Sequence, residues 1–442
     1  MKKEAGSFNC VAKSATVAES LEQATLAKVR WRLIPFLFLL YVVAYLDRVN
    51  VGFASLDMNR DLGLSAAVYG FGAGIFFVSY TLLEVPSNLL LARVGARVWI
   101  ARIMITWGLV STAMVFVTGA KSFYLLRFAL GAAEAGFFPG LIYYLTCWFP
   151  ARERGRAVAL FMTATAMAGV VGAPLSSVLL RLDGVRGLHG WQWLFLVEGL
   201  PAILLAPVVL ARLTERPDDA RWLTEEERQW LSREMAAEHA LTDGAHVTLG
   251  AALRSRRLWA LSLLYFCIVI AFYGVSFWLP QIVKAAGTLE SATVVLLSAV
   301  PYVVATIGMV LVGAHSDQTG ERRWHVAVPL IIGAAGFLMA VAAAESVVFS
   351  LAALSIAALG IWGAMGPFWT MPAAILRGTA AAGGLALVNS VGNIGGFVGP
   401  FAVGWIREAT GSFGAGLVLL AAVLVAGAVV ALSLRPSPER TN

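Results

Sequence analysis

The sequence predicts an all-α membrane protein with twelve transmembrane helices arranged as two six-helix lobes. The chain has 442 residues, of which 59% are hydrophobic and 13% are charged, whereas soluble domains average about 25% charged residues. The apolar residues cluster into twelve runs, each close to the roughly 20 residues that a helix needs to cross a bilayer. The last six runs repeat sequence features of the first six. Composition, run length and repetition together favour this fold over any soluble class.

Short connections separate the predicted helices, except for one long polar segment in the middle of the chain. In the first half the apolar runs cover 32–54, 68–91, 97–118, 121–148, 156–180 and 191–212. In the second half they cover 257–283, 292–313, 324–344, 346–373, 381–406 and 412–434. We therefore divide the chain into a tail (1–31), a lobe (32–212), a linker (213–256), a second lobe (257–434) and a second tail (435–442).

The linker carries the signature of a short surface helix. Thr224 and Glu227 have the spacing of a capping box. In that motif the Thr hydroxyl and the Glu carboxylate each accept a hydrogen bond from the other residue's backbone N–H. We expect a helix that begins after Thr224 and has no chemical role.

Two pairs of matching segments indicate that the lobes are repeats of one unit. Gly95–Trp99 aligns with Gly320–Trp324, and Gly169–Pro174 aligns with Gly395–Pro400 at almost the same offset. A parallel repeat of six helices is the architecture of two-lobed secondary transporters, whose substrate site lies between the repeats near the middle of the membrane. The repeat therefore predicts a site between the lobes.

The distribution of basic residues predicts the orientation in the membrane. If both termini face the cytoplasm, 25 of the 33 Lys and Arg residues lie on the cytoplasmic side, as the positive-inside rule requires. The six on the other side are Arg60, Lys121, Arg181, Arg186, Lys284 and Arg407. The net charge of +7 is then a consequence of topology, and nucleic acid is not expected as a partner. We expect a multi-pass protein of the cell inner membrane with both termini in the cytoplasm.

Apolar runs of the first lobe contain charged residues, among them Asp47 and Arg48 in the first run and Arg127 and Glu134 in the fourth. A charged side chain at the bilayer centre costs about 2.5–3.5 kcal/mol on insertion scales, so such residues usually mark an ion or substrate pathway. Two cations and two carboxylates suit a protein that takes up an anion together with a proton.

A loop motif resembles the signature of the major facilitator superfamily. Asn88–Arg97, between helices 2 and 3, is the first copy of that motif, and Gly313–Arg323, between helices 8 and 9, is the second copy and is the more similar to the signature. The resemblance implies a gate formed by Asp317, Arg93, Arg97 and Arg322.

The first copy of the motif departs from the pattern, because Ala92 stands where an Asp is usual. An Asp at that place would make a charge-assisted hydrogen bond with an Arg. We expect either a weaker latch there or a substitute carboxylate from Glu84 or Glu153.

Further motifs narrow the resemblance to the anion:cation symporter family. Similar segments are Tyr45–Asn50, Glu134–Gly140 and Trp148–Ala157, and Leu83–Leu89 and Gly190–Phe195 most resemble bacterial tartrate and phthalate transporters. The resemblance implies symport of a small organic anion with protons, carried by one carboxylate in helix 1 and one in helix 4. Asp47 and Glu134 occupy those positions.

The two buried arginines are candidates for holding the anionic group of a substrate, since the planar guanidinium matches a carboxylate. The family resemblance favours Arg48. An internal pair with Asp47 is the alternative, but adjacent residues of a helix do not face each other. Arg127 could equally be a structural partner of Glu134, two turns along the same helix.

Asp47 and Glu134 are the candidates for proton coupling. Burial and a nearby Arg act on a carboxyl group in opposite directions, so such a group can titrate near neutral pH as its access to water changes. The alternative is a carboxylate that stays permanently paired. Glu84 and Glu198, near the ends of their runs, are expected to serve in gating or packing.

The second lobe offers neutral polar and aromatic groups in place of charges. Asn389 and Asn393 are four residues apart and share one helix face, and buried amides in a membrane need partners. Either a substrate or a neighbouring helix would supply those partners. The candidate substrate-binding residues are Arg48, Tyr45, Tyr80, Arg127, Tyr273, Gln281, Trp369, Asn389 and Asn393.

No motif indicates catalysis, a cofactor or a metal. The sequence has no phosphate-binding loop, HExxH or nucleophile elbow, and its three cysteines lack CxxC spacing. We therefore expect a monomeric transporter that works by alternating access and carries tartrate or a related dicarboxylate or hydroxy acid with protons. An aromatic acid of the phthalate or hydroxyphenylacetate type, a sugar acid, and exchange in place of symport are the alternatives.

Overall fold

The computed structural model describes residues 2–150, 153, 157–158, 161–242, 254–343, 345–375 and 379–434. The described residues are helical, with no strand among them. The helices of the first part are α1 (Lys2–Leu62), α2 (Ala66–Val94), α3 (Ala96–Ala113), α4 (Ala120–Glu134), α5 (Phe137–Thr146), α6 (Ala164–Leu180), α7 (Gly190–Arg212) and α8 (Glu225–Thr242). Those of the second part are α9 (Arg256–Ala285), α10 (Ser291–Leu297), α11 (Ala299–Thr319), α12 (Arg323–Ala342), α13 (Val347–Ile375), α14 (Thr379–Thr410) and α15 (Gly414–Ser433).

The apolar helices agree with the predicted all-α membrane fold. In the described ranges, 11 helical segments are long and apolar enough to cross a membrane, and Ala164–Leu180 is a shorter apolar helix at the position of the fifth predicted span. Two predicted spans are each broken into two helices. The fourth span is α4 and α5, and the eighth is α10 and α11.

The first helix is longer than its apolar run. Its segment Ser20–Leu62 has 43 residues, which is about 65 Å at 1.5 Å per residue. A hydrocarbon core is only about 30 Å thick. Part of α1 therefore stands outside the membrane.

That outer part of α1 contacts the linker helix α8. The capping box predicted at the start of α8 is confirmed: Glu227 N donates to Thr224 Oγ1 at 3.3 Å, and Thr224 N donates to Glu227 Oε2 at 2.9 Å. The other oxygen of Glu227 accepts from Lys28 Nζ at 2.5 Å. The capping carboxylate thus also joins α8 to α1.

The first half of the bundle (α1–α7) and the second half (α9–α15) meet closely on the membrane side that holds the α1–α2 loop, which we call the α1–α2 side. Ser65 Oγ and Ala67 N both donate to Glu408 Oε2, at 2.6 and 2.7 Å. Tyr69 OH donates to the Phe277 carbonyl at 2.9 Å. These bonds join α2 to α14 and α9 on that side.

Small residues allow the backbones of α2 and α14 to approach each other there. A Cβ at Gly70 would lie 2.6 Å from the Pro400 carbonyl oxygen, and one at Gly74 would lie 2.9 Å from that of Phe397. Such close crossings at glycine are typical of membrane helices. Among the described residues, hydrogen bonds between the halves extend from this side to the level of Glu84.

Candidate functional site

A small cavity lies between the two halves, at the level of Arg48. Its water-accessible volume is about 40 Å³, which is room for roughly three water molecules. Aromatic rings form much of its wall, and Arg48 is its charged lining residue. Of the predicted substrate-binding residues, the lining includes Tyr45, Arg48, Tyr80, Tyr273, Asn389 and Asn393.

Arg48 is held by groups from three helices. Its guanidinium donates to the Glu134 carboxylate of α4 and, at 3.2 Å, to Tyr273 OH of α9. It also lies over the rings of Tyr80 and Phe76 of α2, at 5.2 and 5.3 Å from their centroids, within range of a cation–π interaction. Its Nε has no partner among the described residues. One donor of the fork is therefore left for another acceptor.

Glu134 stands at a break in the fourth span. The helix stops there because Gly136 has a φ of +88°, a left-handed conformation that favours glycine. A Cβ at this position would also lie 2.3 Å from Ser87 Oγ. The carboxylate is only 1% exposed, and its Oε2 has no partner in the described part of the chain. The turn thus fixes a carboxylate at a helix end, against Arg48.

Asp47 points away from the cavity, into the first half. Its two oxygens accept from Trp107 Nε1 at 2.9 Å and from Ser111 Oγ at 2.7 Å, both on α3. It does not line the cavity. As the spacing on the helix predicted, Asp47 and Arg48 are not paired; the partner of Arg48 is Glu134.

Arg127 lies between the cavity and the α1–α2 side, and it does not line the cavity. It is fully buried and donates to the carbonyls of Gly72 and Ala73, at 3.4 and 2.9 Å. In the described residues it makes no ion pair with Glu134. The structure therefore shows neither the predicted pair with Glu134 nor the predicted position at the cavity. Two backbone carbonyl groups of α2 bind the guanidinium instead.

Glu84 of α2 joins the two halves at the cavity. Asn389 Nδ2 and Asn393 Nδ2 of α14 donate to its two carboxylate oxygens, at 2.5 and 3.3 Å. The two amides share one helix face, as predicted, and both line the cavity. In this state their partner is a neighbouring helix, which was one of the two alternatives.

The other two predicted substrate-binding residues lie outside the cavity lining. Gln281 is partly exposed on α9, and its Nε2 has no partner in the described ranges. Trp369 of α13 packs edge-on against Tyr265 at 4.9 Å between centroids, and Tyr265 does line the cavity. Trp369 therefore supports the wall from behind.

Sequence reasoning missed several lining residues, among them Tyr41, Tyr265, Phe272 and Met365. Tyr41 could have been found, because residues 41, 45 and 48 follow the i, i+4, i+7 spacing of one helix face. Its ring stacks on Phe161 at 4.3 Å between centroids. The other three sit in apolar stretches without a comparable signal.

Two predicted gate residues, Asp317 at the end of α11 and Arg322 in the loop before α12, form an ion pair. Arg322 donates to Asp317 Oδ1 at 2.6 Å and to Ser316 Oγ at 2.9 Å. The neighbouring Glu321 caps α12 by accepting from the backbone N–H groups of Arg323 and Trp324, both at 2.8 Å. The second copy of the loop motif is therefore stabilised by two carboxylates.

The loop between α2 and α3 obtains its carboxylate from elsewhere in the chain. Glu215 accepts from the backbone N–H groups of Ala96 and Arg97, at 3.0 and 2.9 Å, while the Arg93 side chain is exposed. The expectation that Glu84 or Glu153 replaces the Asp missing at position 92 is wrong. Glu84 binds the α14 amides, and Glu153 accepts a hydrogen bond from Arg30 at 2.5 Å. Glu215 thus caps the N-terminus of α3 in the same way that Glu321 caps the N-terminus of α12.

Comparisons with known proteins assign the fold. Residues 37–400 match the family model of the Major Facilitator Superfamily. A crystal structure of a bacterial homologue of the human lysosomal transporter Spinster, in an inward-facing and occupied conformation, superposes with a TM-score of 0.74 at 18% identity. The match covers 91% of this chain and 96% of that one.

Two curated bacterial relatives are similar along almost the whole chain. A protein of Agrobacterium vitis named "Putative tartrate transporter" is 52% identical over 424 residues, covering 96% of this chain and 94% of the relative. A protein of Acinetobacter baumannii named "Quinolone resistance transporter" is 42% identical over 420 residues, covering 95% and 96%. This chain therefore belongs to the major facilitator superfamily, and it is a multi-pass membrane transporter rather than an enzyme.

Proposed function

We propose that this transporter imports a small organic anion together with protons, with tartrate or a related hydroxy-dicarboxylate as the substrate. The observation that carries the proposal is that Arg48, which lines the cavity, is paired with the buried carboxylate of Glu134. Arg48 is a permanent cation whose shape matches a carboxylate. Glu134 is titratable, and it stops pairing with Arg48 when it is protonated. The substrate class rests on the 52% identity to a relative named for tartrate.

The pair couples the two solutes because Arg48 needs one anion at all times. Removing one partner of a buried ion pair costs about 3–5 kcal/mol. When a proton neutralises Glu134, the charge of Arg48 is unpaired and the protein is destabilised by that free energy. A substrate carboxylate that pairs with Arg48 restores the stability. When the substrate leaves, Glu134 must release its proton to neutralise Arg48 again. Proton and anion therefore enter and leave together.

The second half would hold the rest of the substrate through neutral groups. Tyr273 OH and the amides of Asn389 and Asn393 face the cavity, and a second carboxylate or a hydroxyl can accept their hydrogen bonds. The amides now bind Glu84, so the substrate would compete with that side chain. We propose that the protein works as a monomer.

The orientation follows from the basic residues. With both termini in the cytoplasm of a cell whose inner membrane holds the protein, the α1–α2 side is periplasmic. The hydrogen bonds of Glu408 to Ser65 and Ala67 then close the periplasmic entrance. Alternating access requires these bonds to break while contacts form on the opposite side.

Asp47 has a smaller part in this scheme than the sequence predicted. Its oxygens are occupied by donors of α3, and it interacts with Glu134 through its charge. We propose Glu134 as the group that exchanges its proton with the cavity, and Asp47 as a nearby charge that acts on it.

The test is uptake of labelled tartrate into proteoliposomes with an acidic outside. We expect accumulation above equilibrium that a protonophore abolishes. Glu134→Gln, which mimics the protonated acid, should keep tartrate exchange but lose accumulation. The exposed Glu226→Gln on α8 is the matched control and should behave as wild type.

Accumulation that survives a protonophore, or that Glu134→Gln retains, would contradict the coupling. The aromatic rings in the wall, Tyr45 and Tyr80 among them, favour a second candidate substrate, an aromatic carboxylic acid. Phthalate and a sugar acid are therefore tested in the same assay. Accumulation of phthalate without tartrate would replace the substrate while leaving the coupling in place.

A further inference from the structure

Glu198 of α7 is a buried carboxyl group that the proposed transport scheme does not use. It is 1% exposed and does not line the cavity. Ser176 Oγ of α6 donates to its Oε1 at 2.6 Å. Its Oε2 is buried without a hydrogen-bond partner among the described residues.

A second carboxyl group, Asp47 of α1, lies close to Glu198, and Asn50 connects the two. Asn50 Nδ2 donates to Asp47 Oδ1 at 3.4 Å, and the same amide interacts with Glu198. The charges of Asp47 and Glu198 also act on each other. Two acids and one amide thus form a compact cluster where α1, α6 and α7 meet.

The cluster has no basic partner in the described part of the chain. Neither Asp47 nor Glu198 takes part in an ion pair there. Arg48, which follows Asp47 in the chain, is paired with Glu134. Buried charges in proteins are paired, bound to a metal, or neutralised by protonation. Two like charges in one buried site cannot both persist, so one acid takes up a proton.

The hydrogen bonds indicate which acid is protonated. Both Asp47 oxygens already accept from strong donors, Trp107 Nε1 and Ser111 Oγ, which favours the ionised form. Glu198 has one oxygen without a donor, and Asn50 Oδ1 also lacks one. A carboxyl O–H at Glu198 removes a charge and adds a donor to a cluster that has too few donors.

We propose that Asp47, Asn50 and Glu198 form a proton-binding site inside the first half of the transporter, in which Glu198 Oε2 carries one proton and Asp47 is the anion. The site is separate from the substrate cavity and goes beyond the proposed symport. Its groups come from helices of one half only. Rocking of the halves against each other leaves its surroundings unchanged, so the proton stays bound throughout the transport cycle.

Infrared spectroscopy of the purified protein at neutral pH tests the site without any transport. A protonated carboxyl group has a C=O stretch that is separate from those of carboxylates and amides. We expect Glu198→Gln to remove one such band, and the exposed Glu226→Gln to remove none. Ser176→Ala should keep the band and shift it, because Glu198 Oε1 loses its hydrogen bond. This variant also answers the question if Glu198→Gln does not fold.

Three results would overturn the proposal. The first is a wild-type spectrum whose protonated-carboxyl bands are unchanged by both Glu198→Gln and Ser176→Ala. The second is a rise of the wild-type Tm in sodium chloride over choline chloride that Glu198→Gln abolishes, which would make the ligand a metal cation. The third is loss of pH-driven accumulation in a folded Glu198→Gln protein, which would make the proton a transported one. A wild type without proton-driven uptake refutes symport alone and leaves the infrared test valid.

Discussion

The two walls of the cavity differ in how they carry polarity. The first half contributes charge: Arg48 lines the cavity, and its partner Glu134, outside the lining, lies in that same half. The second half contributes the neutral groups of Tyr273, Asn389 and Asn393. In the described residues, no ion pair joins the two halves; the hydrogen bonds between them pair a charged group with a neutral one or two neutral groups.

That difference suits a protein whose halves must separate. Hydrogen bonds to a charged group contribute about 1.5–3 kcal/mol, whereas a broken buried ion pair costs about 3–5 kcal/mol. A neutral amide such as that of Asn389 can also exchange its hydrogen bond with Glu84 for one with a substrate carboxylate. The amide carries no charge that would be left without a counter-ion during the exchange. Keeping both members of the ion pair in one half therefore lowers the free energy needed to separate the halves.

The largest expected effect comes from changing the charged wall. Arg48→Lys keeps the positive charge but loses the planar fork, the bond to Tyr273 and the contact with the ring of Tyr80. We expect the KM for tartrate uptake to rise at least about tenfold, a loss of about 1.4 kcal/mol. Arg102→Lys, which removes a guanidinium from the ring of Trp99 on α3, is the matched control. An unchanged KM in Arg48→Lys would remove this residue from the binding site.

An intermediate effect is expected where a charge meets the neutral wall. Glu84→Gln keeps the shape but replaces two charge-assisted bonds to Asn389 and Asn393 with neutral ones. For the shorter bond, to Asn389, the difference alone is about 1 kcal/mol, so the population with α2 and α14 apart should rise at least about fivefold. Distances between spin labels on α2 and α14, measured with and without tartrate, would show the shift. Identical distance distributions in the variant and the wild type would contradict the proposed competition.

The smallest effect concerns the two related loops. Glu215→Ala and Glu321→Ala each remove a carboxylate that caps a helix start, for which about 1 kcal/mol of stability is typical. We expect similar reductions of a few degrees in Tm, with unchanged tartrate KM. Gln318→Ala, at an exposed neighbouring position, is the control. A reduction in only one variant would show that the two loops are not equivalent.

The fold was predictable because hydropathy, repeats and basic residues all act over long stretches of chain. Arg48 and Glu134 were predictable as site residues because charge inside an apolar run is rare and costly. The orientation of the Asp47 side chain was not predictable. Neighbouring positions on a helix show only that the Asp47 and Arg48 side chains point in different directions. Which of them faces the cavity depends on Trp107 and Ser111 of α3, and those contacts span about sixty positions in the sequence.

The role of Glu215 shows the same limit for the loops. Its contacts with the start of α3 join residues 118 and 119 positions apart, and no local pattern marks it. The partners of Glu84 lie 305 and 309 positions away. Local rules found the capping box at Thr224, where both partners are three residues apart, and they could not find these long-range pairs.

The long first helix has a mechanical consequence. Lys28, which is bound to α8, and Arg48, which faces the cavity, lie on one continuous helix about 30 Å apart. Pro35 lies between them and lacks the N–H of a helical hydrogen bond, yet the helix runs through it. A pull on the water-exposed end is therefore passed along the helix to its membrane-embedded part. A ligand or modification that pulls on α8 would therefore reach the anion site without entering the bilayer.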